Sequence, residues 1–221
     1  MKIYNYIKYF FYIAFNWNIW LALFVIYNEI QGERRYRINT TGYDDLKKLE
    51  KEGTDISHAT IYMPVSYYLL SKSFRHYPFK NKNHFVDIGS GKGRSLCVAA
   101  NKGFKKVTGV DFSAELSNKA IQNLERTKEA IPFLTYTVVN ENAAYFKIPS
   151  DADCIFLFNP FDEVIMKQVV DNIGESLQKF PRKMAVVYAN PLYKKIFIEI
   201  GFKEIYHSVT MHYLEVSVLK N

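Results

Sequence analysis

Residues 84–94 read HFVDIGSGKGR: a short apolar run holding one acid, then glycine at alternate positions, then two basic residues among the glycines. A run this short and this apolar fits a strand buried on both faces. Gly89, Gly91 and Gly93 interrupt it, and Lys92 to Asn101 reads as a helix. Strand, glycine turn, helix is the opening unit of a parallel α/β sheet. Ligands of such sheets bind at the carboxyl ends of the strands. Glycine there lets the backbone take positive φ and come close to a ligand.

The pattern repeats downstream. VTGVDF is a second strand, and residues 113–129 form a helix with Ser113 as its N-cap. FLTYTVV follows, then a loop through Asn140–Ser150, the apolar strand CIFLFNP and a helix over 162–179. KMAVVYANP is another strand, and LYKKIFIEI a helix stopped by Gly201. FKEIYHSV and HYLEVSVL close the chain with too little between them for a crossover, so they pair antiparallel. The fold class is α/β: a doubly wound, mostly parallel seven-strand sheet with a C-terminal antiparallel hairpin, plus an N-terminal helical extension. Residues 1–57 are read as that extension and its connector, residues 58–221 as the main domain.

The loop chemistry separates candidate ligands. A dinucleotide fingerprint G-x-G-x-x-G would need glycine where Arg94 stands, and a phosphate loop G-x-x-x-x-G-K-[ST] is absent. Asp87, two residues before the first glycine, repels a phosphate but suits a cation such as an ammonium or sulfonium. Asp111 ends the next strand, 24 residues after Asp87. An acid there can accept hydrogen bonds from both hydroxyls of a ribose. Phe112 beside it can stack on or edge an adenine.

DIGSGKGR followed by GVDFS resembles motif I and the following acidic loop of the class I S-adenosylmethionine-dependent methyltransferases. The resemblance covers about residues 58–221 and implies S-adenosyl-L-methionine as cofactor. It implies that Gly89, Ser90, Gly91 and Gly93 border the methionine part, that Asp87 lies near its ammonium group and that Asp111 holds the ribose. Asn142, in NENAAYF, falls where the family often has an Asp on the adenine amine, and an amide can still make that contact.

FLFNPF, residues 156–161, takes the family's motif IV position beside the transferable methyl. It resembles the N-P-P-[FY] signature of amino-group methyltransferases with one proline missing. The resemblance implies that Asn159 orients the acceptor, with Pro160 and Phe161 lining the site. The missing proline argues against a nucleic-acid amine, and a protein side chain such as lysine is the preferred acceptor. IYMPVSYY resembles the Tyr-x-Pro segment ahead of motif I in some small bacterial methyltransferases, so Tyr62 is a candidate to cover cofactor or target. Methylation of a small molecule or lipid at a membrane, or cofactor binding without catalysis, are the alternatives. No metal site is expected.

Residues 9–27, YFFYIAFNWNIWLALFVIY, contain no charge and just reach the length of a membrane span. Asn16 and Asn18 in the middle suit a helix packed on the domain or lying at an interface better than one facing lipid. No small-residue cleavage site follows, which argues against a removable signal. Residues 31–58, with Gly32, Gly42 and Gly53 as breakers, read as a polar connector, and an apolar helix starts near Pro64. The net charge of +7 is concentrated early: residues 1–83 hold 12 Lys/Arg against 7 Asp/Glu. This bias fits either an anionic partner or a solvated basic face. Cys97 and Cys154 lie apart in apolar runs, which suits a reducing, cytoplasmic setting.

Overall fold

The computed structural model describes residues 2–42, 63–158 and 161–221. Three helices come first: α1 (Lys2–Asn16), α2 (Ile19–Tyr36) and α3 (Tyr67–Arg75). Then follow β1 (His84–Ile88), α4 (Arg94–Asn101), β2 (Lys106–Asp111), α5 (Ala114–Ala130), β3 (Thr135–Asn140) and β4 (Cys154–Phe158). The chain ends with α6 (Glu163–Lys179), β5 (Ala185–Ala189), α7 (Lys194–Glu199), β6 (Lys203–Thr210) and β7 (Leu214–Lys220).

The strands make one seven-stranded sheet in the order β3-β2-β1-β4-β5-β7-β6. β1 to β5 run parallel, and β7 enters antiparallel between β5 and β6. Burial explains the sequence texture. β1 and β5 are buried along their whole length, β5 as an unbroken apolar run and β1 with His84 and Asp87 among its apolar residues, whereas the edge strands β3 and β6 alternate or face solvent. The β6–β7 turn places Met211 and His212 at φ 54° and 63°, the left-handed pair a tight hairpin needs.

Two apolar layers flank the sheet. Phe85, Phe156 and Val187 pack on one face with Leu70 of α3, Leu96 of α4 and Leu124 of α5. Val86, Ile155 and Tyr188 pack on the other with Val169 and Ile173 of α6 and Phe197 of α7. The order of strands reverses direction at β1 and β4, so their carboxyl ends form the crevice where open α/β sheets bind ligands.

The N-terminal region departs from the sequence reading in three places. The uncharged stretch 9–27 is not one helix but a hairpin of two. Asn16 Nδ2 donates to the carbonyl of Tyr12, and Asn18, at φ −163°, caps α2 by accepting from Leu21 N at 2.8 Å. The two asparagines thus end one helix and begin the next. No helix among the described residues is long and apolar enough to cross a membrane. The expected connector from residue 31 is helical as far as Tyr36, where Arg37 stops α2 in the left-handed region at φ 54°. Gly32, read as a breaker, lies inside α2 because a Cβ there would sit 2.2 Å from Cγ of Tyr67. The helix expected near Pro64 begins at Tyr67, with Ser66 Oγ accepting from Tyr68 N. Residues 43–58 of the connector, Gly53 among them, lie outside the described residues.

Candidate active site

Asp87 and Asp111 share one side of the sheet. Asp87 pairs with Gly109 across the parallel β1–β2 ladder, and paired residues point to the same face. Asp111 stands two residues beyond Gly109 and returns to that face. Both acids are buried. The loop between them is built on β2: Gly89 N and Ser90 N donate to the carbonyl of Val110 at 2.8 and 2.9 Å, and Gly91 N donates to Asp111 Oδ2 at 2.7 Å. Gly89, Gly91 and Gly93 take φ of 89°, 52° and 77°, the conformation that expels a β-carbon. At Gly93 a Cβ would also meet Ala120 Cβ at 3.0 Å, so glycine there lets α4 approach α5.

Polar satisfaction is uneven in this loop. Asp111 Oδ1 accepts from Ser113 N at 2.9 Å, so both its oxygens are held by backbone and each retains a second lone pair. Asp87 Oδ2 accepts from the Ser95 hydroxyl, but Asp87 Oδ1 is buried without a partner, as is Ser90 Oγ. Burial pushes Asp87 up to about 7 against the Ser95 hydrogen bond, with the nearby Asp111 charge adding to the rise. Burial likewise raises Asp111 to about 6 against its two backbone donors. A buried carboxylate oxygen with no donor is a vacancy for an N–H carried by a ligand, and a cation would relieve both acids. These residues therefore fit the amino-acid end of S-adenosylmethionine, and the glycine backbone leaves the space beside it.

The other predicted residues fall as follows. Phe112 follows Asp111 and is half-buried. Asn142 is exposed in the loop after β3, and its Oδ1 accepts from Ala144 N at 2.9 Å. That loop is tied to the same edge, since Glu141 N and Asn140 Nδ2 both donate to the Asp111 carbonyl. Phe161 is 8% exposed and packs into the α6-side core. Asn159, Pro160 and Tyr62 lie outside the described residues, as does His58. β4, the strand that precedes Asn159 and Pro160 in sequence, pairs with β1 as far as Asp87↔Phe156. Among the described residues no group of His, Cys, Asp and Glu could hold a metal ion.

Sequence reasoning missed the support beneath the loop. Arg94 opens α4 and is fully buried. Its guanidinium donates to both oxygens of Glu29 in α2, at 2.6 and 2.5 Å, to Thr40 Oγ1 at 2.7 Å and to the Val65 carbonyl at 2.7 Å. It also lies 4.1 Å from the centre of the Tyr67 ring. Glu33, one turn after Glu29, accepts from Thr40 N, Thr41 N and the Tyr67 hydroxyl. Asn123 of α5 donates to the Lys92 carbonyl and accepts from Asn39 N. α2 and the residues that follow it are thus bonded to Arg94 at the end of the glycine loop. The available signal was the pair Glu29 and Glu33, spaced i, i+4 just after the uncharged run of residues 9–28.

Comparison with known proteins agrees with this geometry. Residues 85–179 match the family described as a methyltransferase domain. None of the curated proteins matches in sequence. Among solved structures, a putative S-adenosylmethionine-dependent methyltransferase from Listeria monocytogenes is similar with TM-score 0.54 at 10% identity, covering 70% of this chain and 97% of that one. A SAM-dependent methyltransferase from Thiobacillus denitrificans, solved with S-adenosyl-L-homocysteine, is similar with TM-score 0.53 at 13% identity, covering 72% and 92%. A SAM-dependent O-methyltransferase from Thermotoga maritima gives TM-score 0.54 at 14% identity, covering 80% and 70%. At these identities the structures attest the fold alone. Residues 85–179 thus carry a methyltransferase domain, and the seven-strand sheet with its glycine loop on two buried acids is consistent with a class I S-adenosylmethionine-dependent methyltransferase.

Proposed function

We propose that the enzyme methylates an amino group, and that the amine belongs to a protein lysine. The observation that carries the cofactor side is the unpartnered Asp87 Oδ1 beneath the glycine loop. It accepts an N–H from the cationic amino group of the methyl donor. Asp111 keeps Gly91 in place with one lone pair of Oδ2 and turns its remaining lone pairs toward the sugar hydroxyls. Gly89, Gly91 and Gly93 admit the methionine portion against bare backbone, and Ser90, Phe112 and Asn142 complete the bed.

Bound there, S-adenosylmethionine supplies a methyl already activated by its sulfonium. The protein's part is to line up the acceptor, and orientation of this kind contributes roughly 7–11 kcal/mol. An amine that arrives neutral needs no base. A dry crevice favours the neutral form by lowering the amine's pKa. Of the described histidines, His212 follows β6 at the outer edge of the sheet, with β7 and β5 between it and β4. His84 lies at the amino end of β1, its ring between Asp151 and Thr108. Asn159 and the backbone around Pro160, at the end of β4, orient the amine, and Tyr62 covers it. The two free, buried cysteines suit a cytoplasmic enzyme.

The test is transfer of label from S-adenosylmethionine into cell lysate. Label in protein, alkali-stable and lost from Asn159→Ala enzyme that still binds S-adenosylhomocysteine, is expected. Label confined to lipid or RNA overturns the lysine assignment while leaving the cofactor assignment intact.

A further inference from the structure

The α1–α2 hairpin has a second apolar face. Its inner face is buried: Tyr9, Ile13, Leu21, Ala22 and Val25 pack together and onto Met211 and Leu214 at the β6–β7 turn. Its outer face carries Ile7, Phe11 and Phe15 along α1 and Trp20, Leu23 and Tyr27 along α2. These recur at three- or four-residue spacing, one stripe per helix. The side chains are well exposed, Phe15 by 84% and Trp20 by 71%. A helix that is apolar on both sides is normally buried, and contiguous exposed apolar patches mark interaction surfaces.

The charges decide what covers it. Residues 9–28 carry none. The acids of α2, Glu29 and Glu33, are buried against Arg94, Thr40 and Thr41. Every exposed charge among residues 3–42 is therefore a cation: Lys8, Arg34, Arg35 and Arg37. The two-residue turn makes the helices antiparallel, so the arginines gather at the base, about 20 Å along α2 from the aromatic turn. An aromatic tip with a cationic base is the composition of helices that lie in the interface of an anionic bilayer. Among the described residues of this hairpin, a second copy would bring the same cations and no exposed carboxylate to meet them.

We propose that the α1–α2 hairpin docks the enzyme on an anionic lipid surface, with Phe15, Trp17 and Trp20 at the acyl boundary and Arg34, Arg35 and Arg37 among the headgroups. The attachment is peripheral, since neither helix is long and apolar enough to cross.

The chain reports on this itself. Its two tryptophans, Trp17 and Trp20, both sit at the tip, so intrinsic fluorescence reads that site without a label. Full-length protein is titrated with vesicles of phosphatidylglycerol mixed with phosphatidylcholine, and with phosphatidylcholine alone. The expected result is a blue shift and co-sedimentation with the anionic vesicles, both weakened by salt. Arg34→Ser with Arg35→Ser weakens that binding roughly tenfold or more. Phe15→Ser with Trp20→Ser abolishes co-sedimentation. Both variants keep the wild-type affinity for S-adenosylhomocysteine, which establishes that they are folded. Wild-type protein that neither shifts nor sediments with anionic vesicles overturns the proposal, with no variant needed. So does a blue shift that follows protein concentration in the absence of lipid, which assigns the face to a second copy.

Discussion

Asp87 ends β1 with one oxygen on Ser95 and the other unclaimed, and both acids of the loop resist ionisation. The sign of the pH effect follows. Folded Asp87 titrates near 7, against an ordinary value of 3.8, so between those values the folded state binds more protons than the unfolded one. The contribution to stability is present in full below the ordinary value and is lost as pH rises through about 7. Thermal melts of the ligand-free protein should show this loss. Affinity for the cationic cofactor should run the other way, because only the ionised acid attracts it. Calorimetry from about pH 5 to about pH 8 should show tightening with pH, and Asp87→Asn should flatten the profile. Asp111→Ala should weaken cofactor binding by about 1–3 kcal/mol through lost hydrogen bonds to a charged group, again read by calorimetry. At this scale the sequence was informative because an acid at a strand end and glycine at alternate positions are local signals. Ser95 and Arg94 were not legible as partners, since their contacts are set by where a helix lands. The core contacts of Phe161 were not legible either, because the sequence places it after β4 but does not say which way the ring turns.

Among the elements, the strands and helices from β1 onward lie within a few residues of their sequence-based expectations, helped by caps such as Ser113 on α5 and Asp162 on α6. The N-terminal elements do not. Hydropathy alone could not reveal that Asn18 begins a helix, nor that Gly32 is required inside one by the ring of Tyr67. What anchors α2 is electrostatic. Burial raises the Glu29 carboxyl and the Arg94 charge opposes the rise. Removing one partner of such a pair leaves a buried charge, which costs about 3–5 kcal/mol. Glu29→Gln and Arg94→Met should each destabilise by roughly that amount, and the double variant by less than their sum, in a denaturant double-mutant cycle. Gly32→Ala should also lower stability, by about 1–3 kcal/mol, because the Tyr67 ring must move.

For the molecule as a whole, the boundary drawn at residue 57 separates sequence textures rather than packed units. Tyr36 and Ile38 lie in the same core as Leu70, Leu96 and Phe156. Arg94 reaches across to Glu29, and Asn123 to Asn39. A chain beginning at residue 58 would expose that core and strand a guanidinium, so it should fail to fold, or melt well below the full chain, by circular dichroism. The fold of the sheet was legible because alternation of strands and helices permits few topologies. The seating of the extension was not, because it depends on one arginine finding a carboxylate 65 positions upstream. That clasp makes the front of the protein and its methyl-donor bed share one equilibrium. Linkage then demands reciprocity: whatever steadies the hairpin must improve donor affinity by the same factor that the donor steadies the hairpin. Amide protons of α2 should accordingly exchange more slowly once S-adenosylhomocysteine is added.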